Sequence, residues 1–292
     1  MLGTILTAMV TPFDGDLRVD EPAAARLAHH LVEHGSEGLV IAGTTGEAST
    51  LSDVEQAALV RLAVREVGGG RAPVVAGTGT NDTAHSVRLT RLCAEAGADA
   101  ALVVTPYYNR PPREGIVAHV AAIADVGLPV ILYNIPGRTA LNMPPDLIGE
   151  LAGIPGVVAL KQANPDPREL RAVFETPLAI YAGNDDMLLD VVRLGGAGVI
   201  SVTSHLAGEE MAGIADDARR GDLDEAARRD AALADLYAGL FVTTSPILIK
   251  AALEMTGLIP SGRLRLPLVE ATPVQRDILR TVLERRGILS RA

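Results

Sequence analysis

The sequence predicts an α/β protein in which strand–helix units close into a barrel and a helical subdomain follows. Short apolar runs with strand character alternate with segments of helical period rich in Ala, Leu and Arg, which is the pattern of βαβ units around a parallel sheet. Eight such runs occur, at 4–10, 38–42, 73–77, 100–105, 129–134, 157–162, 178–182 and 198–202. Because eight parallel strands close a barrel, we expect the (β/α)8, or TIM, barrel.

An open, doubly wound sheet is the alternative architecture. It is the weaker prediction because no Gly-x-Gly-x-x-Gly motif follows an early strand. Past about residue 220 the strand pattern ends, and 223–237, 245–256 and 273–286 have helical character. We therefore predict a barrel over 1–220 and a helical subdomain over 221–292, with Ser245 as the N-cap of a helix whose first residue is Pro246.

Composition limits the classes of function. The chain has 292 residues, 48% of them hydrophobic, in short runs that predict no transmembrane span, and its start lacks a signal-peptide pattern. A single cysteine, Cys93, fits a cytoplasmic protein without internal disulfides. A net charge of −10 and only 3% aromatic residues argue against binding to nucleic acid.

The most informative stretch is Val157–Gln162, an apolar run after a Pro-Gly turn that predicts a buried parallel strand with Lys161 near its end. Desolvation lowers the pKa of a buried ammonium, which favours a nucleophilic amine that forms a Schiff base with a carbonyl. The alternative is a lysine whose stem is buried and whose head reaches solvent. Two of the 26 basic residues are lysines and the rest are arginines, which cannot form an imine. The second lysine, Lys250, lies in a helical run and is interpreted as structural.

The ends of the other predicted strands carry further reactive side chains. Each of these segments alone has a simpler explanation, as a turn, a packing residue or a surface ion pair. In a barrel, however, the carboxyl ends of the strands converge on one mouth. The segments are Gly43–Glu47, Thr105–Arg110, Tyr133–Arg138, Gly183–Asp185 and Ser201–Thr203. A zinc-like pattern, His30–His34, lies on a predicted outer helix, and we expect no metal there.

In this order, the motifs resemble the dihydrodipicolinate synthase / N-acetylneuraminate lyase family of class I aldolase-like barrels. They cover nearly the whole chain: Thr11–Phe13, Gly43–Glu47, Pro106–Pro111, Tyr133–Thr139, Lys161, Gly195–Thr203 and Arg265–Pro267. Arg138 and the Tyr-Tyr-Asn-Arg-Pro segment resemble the members that condense pyruvate with L-aspartate 4-semialdehyde on the route to diaminopimelate and lysine. The sugar-acid lyases of the family usually lack that arginine.

The resemblance implies a role for each site residue. Lys161 would form the imine with pyruvate, and Thr44, Tyr133 and Tyr108 would relay protons. Tyr108 resembles a residue that members exchange across a dimer interface. The backbone around Thr44 and Thr45 would hold the pyruvate carboxylate, Arg138 the semialdehyde carboxylate, and Gly183 and Ile200 would line the site.

The resemblance further implies no cofactor, no metal and a homotetramer built as a dimer of dimers. Departures from the family pattern occur at Gln162, Asn184 and Ala140. Two other functions compete with the condensation. One is a retro-aldol lyase acting on N-acetylneuraminate or a 2-keto-3-deoxy sugar acid, which would use Lys161 and Tyr133 equally well. The other is a non-catalytic sensor that binds a keto acid.

Overall fold

The computed structural model describes residues 2–290, and its eight strands form a closed parallel barrel in chain order. The predicted barrel is thereby confirmed, although some strands are shorter at their ends than predicted. The strands are β1 Ile5–Ala8, β2 Gly38–Ile41, β3 Val74–Gly77, β4 Ala100–Val104, β5 Val130–Asn134, β6 Val157–Gln162, β7 Ala179–Ala182 and β8 Gly198–Ser201.

Helices cover the outside of the barrel, and several begin at side chains that accept hydrogen bonds from their first turn. Asp20 caps the first helix, and Ser52 forms a capping box with Glu55 at the second. The barrel helices are α1 Glu21–Glu33, α2 Asp53–Val67, α3 Thr83–Glu95, α4 Arg113–Ala124, α5 Pro136–Thr139, α6 Pro145–Ala152, α7 Pro167–Val173, α8 Leu188–Arg193 and α9 Ser204–Arg219. Short 3-10 turns occur at Ala48–Thr50 and Asp185–Met187.

Alternation along the strands decides which side chains face the barrel interior. Ala159 and Ala163 both belong to the inner apolar cluster, so Lys161 between them points the same way. Tyr133 of β5 is the residue paired with Lys161 in the strand register, and it also belongs to this cluster. Val158, by contrast, lies on the outer side and is 42% exposed, so the run predicted to be buried throughout is exposed at this one residue.

The C-terminal segment contains α10 Leu223–Leu240, α11 Ile247–Met255 and α12 Pro273–Arg285. Its apolar side chains share one continuous core with the barrel helices. The predicted cap at Ser245 is wrong, because Pro246 has a ψ of 19° at a φ of −100° and stays outside the helix, which begins at Ile247 without a side-chain cap. Within residues 2–290, no helix is long and apolar enough to span a membrane.

Gly183 lies just after β7, against Ala163, which follows β6. Its N–H donates to the carbonyl of Gln162 at 2.7 Å. A Cβ atom at this position would lie 2.6 Å from the Cβ of Ala163 and 2.8 Å from its backbone nitrogen. The atoms that this Cβ would meet are the backbone and Cβ of Ala163, and none of them is the end of a flexible side chain that could move aside. Glycine is therefore required at position 183 to keep Ala163, two residues after Lys161, in place.

We expect Gly183→Ala to lower the free energy of unfolding by about 1–3 kcal/mol, because the added methyl group displaces β6 backbone. Urea denaturation measures the change. The matched control is Gly149→Ala in α6, where nothing lies within 4 Å of the added atom. Alanine favours a helix by up to about 1 kcal/mol over glycine, so this control should be at least as stable as the wild type. Equal stability of both variants would contradict the close approach at Gly183.

Candidate active site

Lys161 places a primary amine inside the barrel. The residue is 6% exposed, and its Nζ lies 4.4 Å from the centroid of the Tyr133 ring. Burial lowers the pKa of Lys161 to about 8, the Asp185 carboxylate raises it in part, and the Arg138 guanidinium lowers it further. A substantial fraction of the amine is therefore neutral, and nucleophilic, in mildly alkaline solution.

Tyr133 is the phenol beside that amine. It is 5% exposed, and burial raises its pKa to about 12, with the Arg138 guanidinium acting in the opposite direction. The phenol therefore keeps its proton at neutral pH. A protonated hydroxyl can donate and accept a hydrogen bond, which is what transfer of a proton at a carbonyl carbon requires.

A cavity of about 350 Å³ opens at the carboxyl ends of the strands. Thr44, Tyr133 and Arg138, from two different βα loops and the end of β5, all line it. Lys161 does not itself line the cavity. Its amine lies against the ring of Tyr133, and that residue does line the cavity. The structure thus brings together four of the predicted site residues in one region of the mouth.

The loop Gly43–Glu47 has the backbone geometry of an anion site. It is bounded by Ala42 and Glu47, both in the left-handed region with φ of 53° and 57°. Among residues 2–290, no acceptor pairs with the backbone N–H groups of Thr44 and Thr45. Free N–H groups in such a turn form a concave site for an anion such as a carboxylate. Thr45 itself is buried, whereas Thr44 is exposed to the cavity.

Arg138 lies on the short helix α5, directly after β5. Its side chain is exposed on the cavity, and one Nη donates to the carbonyl oxygen of Ser245 at 3.3 Å. This bond leaves donors of the guanidinium available, in the planar arrangement that matches a carboxylate. Sequence reasoning missed the partner because it lies in the C-terminal segment, far along the chain.

Asp185 was quoted in the sequence pattern but given no role, and the structure places it close to the amine. It is 3% exposed and accepts hydrogen bonds from the N–H groups of Val202 and Thr203 and from the Thr203 hydroxyl. Its carboxylate is the charge that raises the pKa of Lys161. An acid two residues after a strand-end glycine was the available signal.

Of the remaining predicted site residues, Ile200 and Gly183 lie on the barrel strands or just after them, whereas Tyr108 lies on the surface. Ile200 is an interior residue of β8, 1% exposed, and Gly183 follows β7. Tyr108 is 90% exposed with a φ of 72° and does not line the cavity, whereas its neighbour Tyr107 does. One chain alone therefore does not bring the Tyr108 hydroxyl to Thr44 and Tyr133.

Comparison with the sequences of known proteins relates this chain to one enzyme family. The model of the dihydrodipicolinate synthetase family matches residues 1–286. A 4-hydroxy-tetrahydrodipicolinate synthase of Desulforudis audaxviator is 45% identical over 291 residues, with 98% of each chain covered. One from a Cyanothece species is 44% identical over 292 residues, covering 98% of this chain and 99% of the relative.

Comparison with solved structures relates this chain to the same enzyme family. The dihydrodipicolinate synthase of Cyanidioschyzon merolae, crystallised with lysine bound, superposes with a TM-score of 0.95 at 40% identity, with 99% of each chain covered. The chloride-inhibited enzyme of Acinetobacter baumannii, complexed with pyruvate, has a TM-score of 0.95 at 38% identity, covering 99% of this chain and all of that one. The resemblance read from the sequence is confirmed, and the chain belongs to the dihydrodipicolinate synthetase family.

Proposed function

We propose that the chain is a 4-hydroxy-tetrahydrodipicolinate synthase, a lyase that condenses pyruvate with L-aspartate 4-semialdehyde in lysine and diaminopimelate biosynthesis. The observation that carries the proposal is the buried Lys161 amine beside Tyr133, at a mouth that also presents Arg138. Relatives 44–48% identical carry this enzyme's name, which confirms the function predicted from the sequence.

The reaction starts with attack of the neutral Lys161 amine on C2 of pyruvate, and loss of water gives an imine. Removal of a proton from C3 forms an enamine. Its C3 then bonds to the aldehyde carbon of the semialdehyde, the aldehyde oxygen takes up a proton to become a hydroxyl, and the imine re-forms at C2. The amino group of the adduct attacks C2, closes the ring and displaces Lys161 as a free amine. The buried Tyr133 hydroxyl suits these proton transfers because it stays protonated at neutral pH.

The carboxylates are assigned to two different anion sites. The free N–H groups of Thr44 and Thr45 would hold the pyruvate carboxylate beside the imine, and Arg138 would bind the carboxylate of the semialdehyde bidentately. Ile200 and Gly183 would complete the wall around the imine. None of these steps requires a metal or a cofactor.

The exposed Tyr108 supports an assembly in which a second copy completes the relay. A 90% exposed tyrosine held in a left-handed conformation is unusual for a residue without a partner. We infer that Tyr108 enters the site of a neighbouring copy, within a cytoplasmic homotetramer arranged as a dimer of dimers. Analytical ultracentrifugation tests the assembly.

Pyruvate with borohydride should inactivate the protein irreversibly, because reduction fixes the imine on Lys161 as a secondary amine. Intact-mass measurement and peptide mapping follow the adduct. The chain supplies its own control, since the second lysine, Lys250, is fully buried and paired with Glu47. An adduct on Lys250, or none at all, would reject the assignment.

The rate of imine formation should rise about tenfold per pH unit below pH 8 and level off above it, because the pKa of Lys161 is about 8. Asp185→Asn removes the charge that raises this pKa, so the midpoint should move to lower pH. Asp186→Asn is the control, because Asp186 does not contribute to the shift at Lys161. Rapid-mixing kinetics with pyruvate measure the profiles, and equal midpoints in all three proteins would contradict the role of Asp185.

Arg138→Ala should reduce kcat/KM for the semialdehyde about 100-fold or more, because a charge-assisted bidentate contact is lost. Borohydride trapping with pyruvate should persist. The control is Arg168→Ala, whose side chain is 91% exposed and pairs with Asp166. If Arg138→Ala condenses the two substrates as the wild type does, the retro-aldol lyases of the family become the better model for this chain.

A further inference from the structure

The second lysine of the chain forms a buried ion pair directly beneath the anion-binding loop. Lys250 of α11 is fully buried, Glu47 is 2% exposed, and Lys250 Nζ lies 2.8 Å from Glu47 Oε1. The same amine lies 4.2 Å from the centroid of the Phe13 ring. The two residues are 203 positions apart, so the pair joins the β2 loop to the C-terminal subdomain.

Such a pair is a poor source of stability. Removing two charges from water is unfavourable, and well-packed apolar residues often replace a buried pair without loss of stability. Glu47 also has a left-handed backbone, which is unfavourable for a non-glycine residue. What a buried pair does supply is a fixed geometry, since neither charge can move away from its partner.

The ion pair fixes the geometry of the loop Gly43–Glu47, which contains the free N–H groups of Thr44 and Thr45. Glu47 N–H donates to the carbonyl of Thr44 at 3.1 Å, and Glu47 Oε2 accepts from the N–H of Arg265 at 3.1 Å. Both carboxylate oxygens are thus engaged by the C-terminal subdomain, while the backbone of the same residue holds the turn. On the other side, the Thr11 hydroxyl donates to Gly46 O at 2.7 Å.

The same stretch of subdomain also reaches the second anion site. Ser245, two residues before α11, provides the carbonyl that accepts from Arg138. Lys250 lies five residues further along, and its own N–H bonds to the Pro246 carbonyl at 3.0 Å. The segment 245–250 therefore contacts both proposed carboxylate sites. Ser245 binds Arg138 of one site, and Lys250 binds Glu47 of the loop that forms the other.

We propose that Lys250 and Glu47 are positioning residues, which hold the Thr44 and Thr45 N–H groups in the arrangement that the carboxylate of an α-keto acid needs. Neither residue touches the substrate. The inference rests on the proposed function, because it concerns the keto acid that Lys161 attacks. It predicts that neutralising the pair weakens keto-acid binding more than it slows turnover.

The test replaces both charges together, so that no unpaired charge is left inside. The variant is Glu47→Gln/Lys250→Met, and its matched control is Glu254→Gln/Arg276→Met, an ion pair within the subdomain at 2.8 Å that does not reach the loop. Circular dichroism melts verify folding. The readout is the pyruvate concentration that gives half-maximal borohydride trapping by intact mass, followed by KM and kcat for both substrates.

We expect the half-saturating pyruvate concentration of Glu47→Gln/Lys250→Met to rise about tenfold or more, because small misplacements of binding groups have effects of this size. KM for pyruvate should rise by a larger factor than kcat falls, and the control should match the wild type. If the double variant does not fold, Glu47→Gln/Lys250→Gln decides, since it removes both charges but keeps a hydrogen-bonding group at each position; at least a threefold rise is expected, by the same argument.

A folded double variant, or Glu47→Gln/Lys250→Gln in its place, that binds pyruvate like the wild type overturns the positioning role and leaves the proposed function intact. A wild type that pyruvate does not trap overturns the proposed function, and the positioning role falls with it. An equal rise in the control pair would also overturn the proposal, because any loss of charge in the subdomain would then have the same effect.

Discussion

Desolvation of one primary amine is the constraint on which the site depends. Inside the barrel, burial disfavours the charged form of every titratable group, so it lowers the pKa of Lys161 to about 8 and raises that of Tyr133 to about 12. Between about pH 8 and pH 12, a single environment therefore yields a free base and a protonated acid side by side. The barrel provides this environment because closure of the sheet removes both edges and leaves an apolar interior.

Two charged side chains, Asp185 and Arg138, act on that amine. Asp185 partly offsets the desolvation of Lys161, and Arg138 adds positive potential at the mouth. Both are fixed by contacts outside their own element, Asp185 by backbone N–H groups after β8 and Arg138 by the Ser245 carbonyl. The barrel and the helices that follow it share one core, so the geometry of the mouth depends on both.

The sequence was most informative where the signal is local. Short apolar runs between segments of helical period located all eight strands, and Lys161 stood out because a residue type that is rare in this chain lies near the end of an uninterrupted apolar run. Contacts between distant segments gave no such signal. Lys250 was interpreted as structural without its partner, because nothing near it in the chain indicates Glu47. The Ser245 cap failed for a similar reason, since the backbone angles of Pro246 decide where the helix begins.

The distribution of basic residues has a chemical consequence. Both lysines are buried, Lys161 at 6% and Lys250 at 0% exposure, and the other 24 basic residues are arginines. Aldehydes and ketones condense readily with amines but not with a guanidinium that stays protonated. The outer surface therefore offers an aldehyde no lysine amine with which to form an imine.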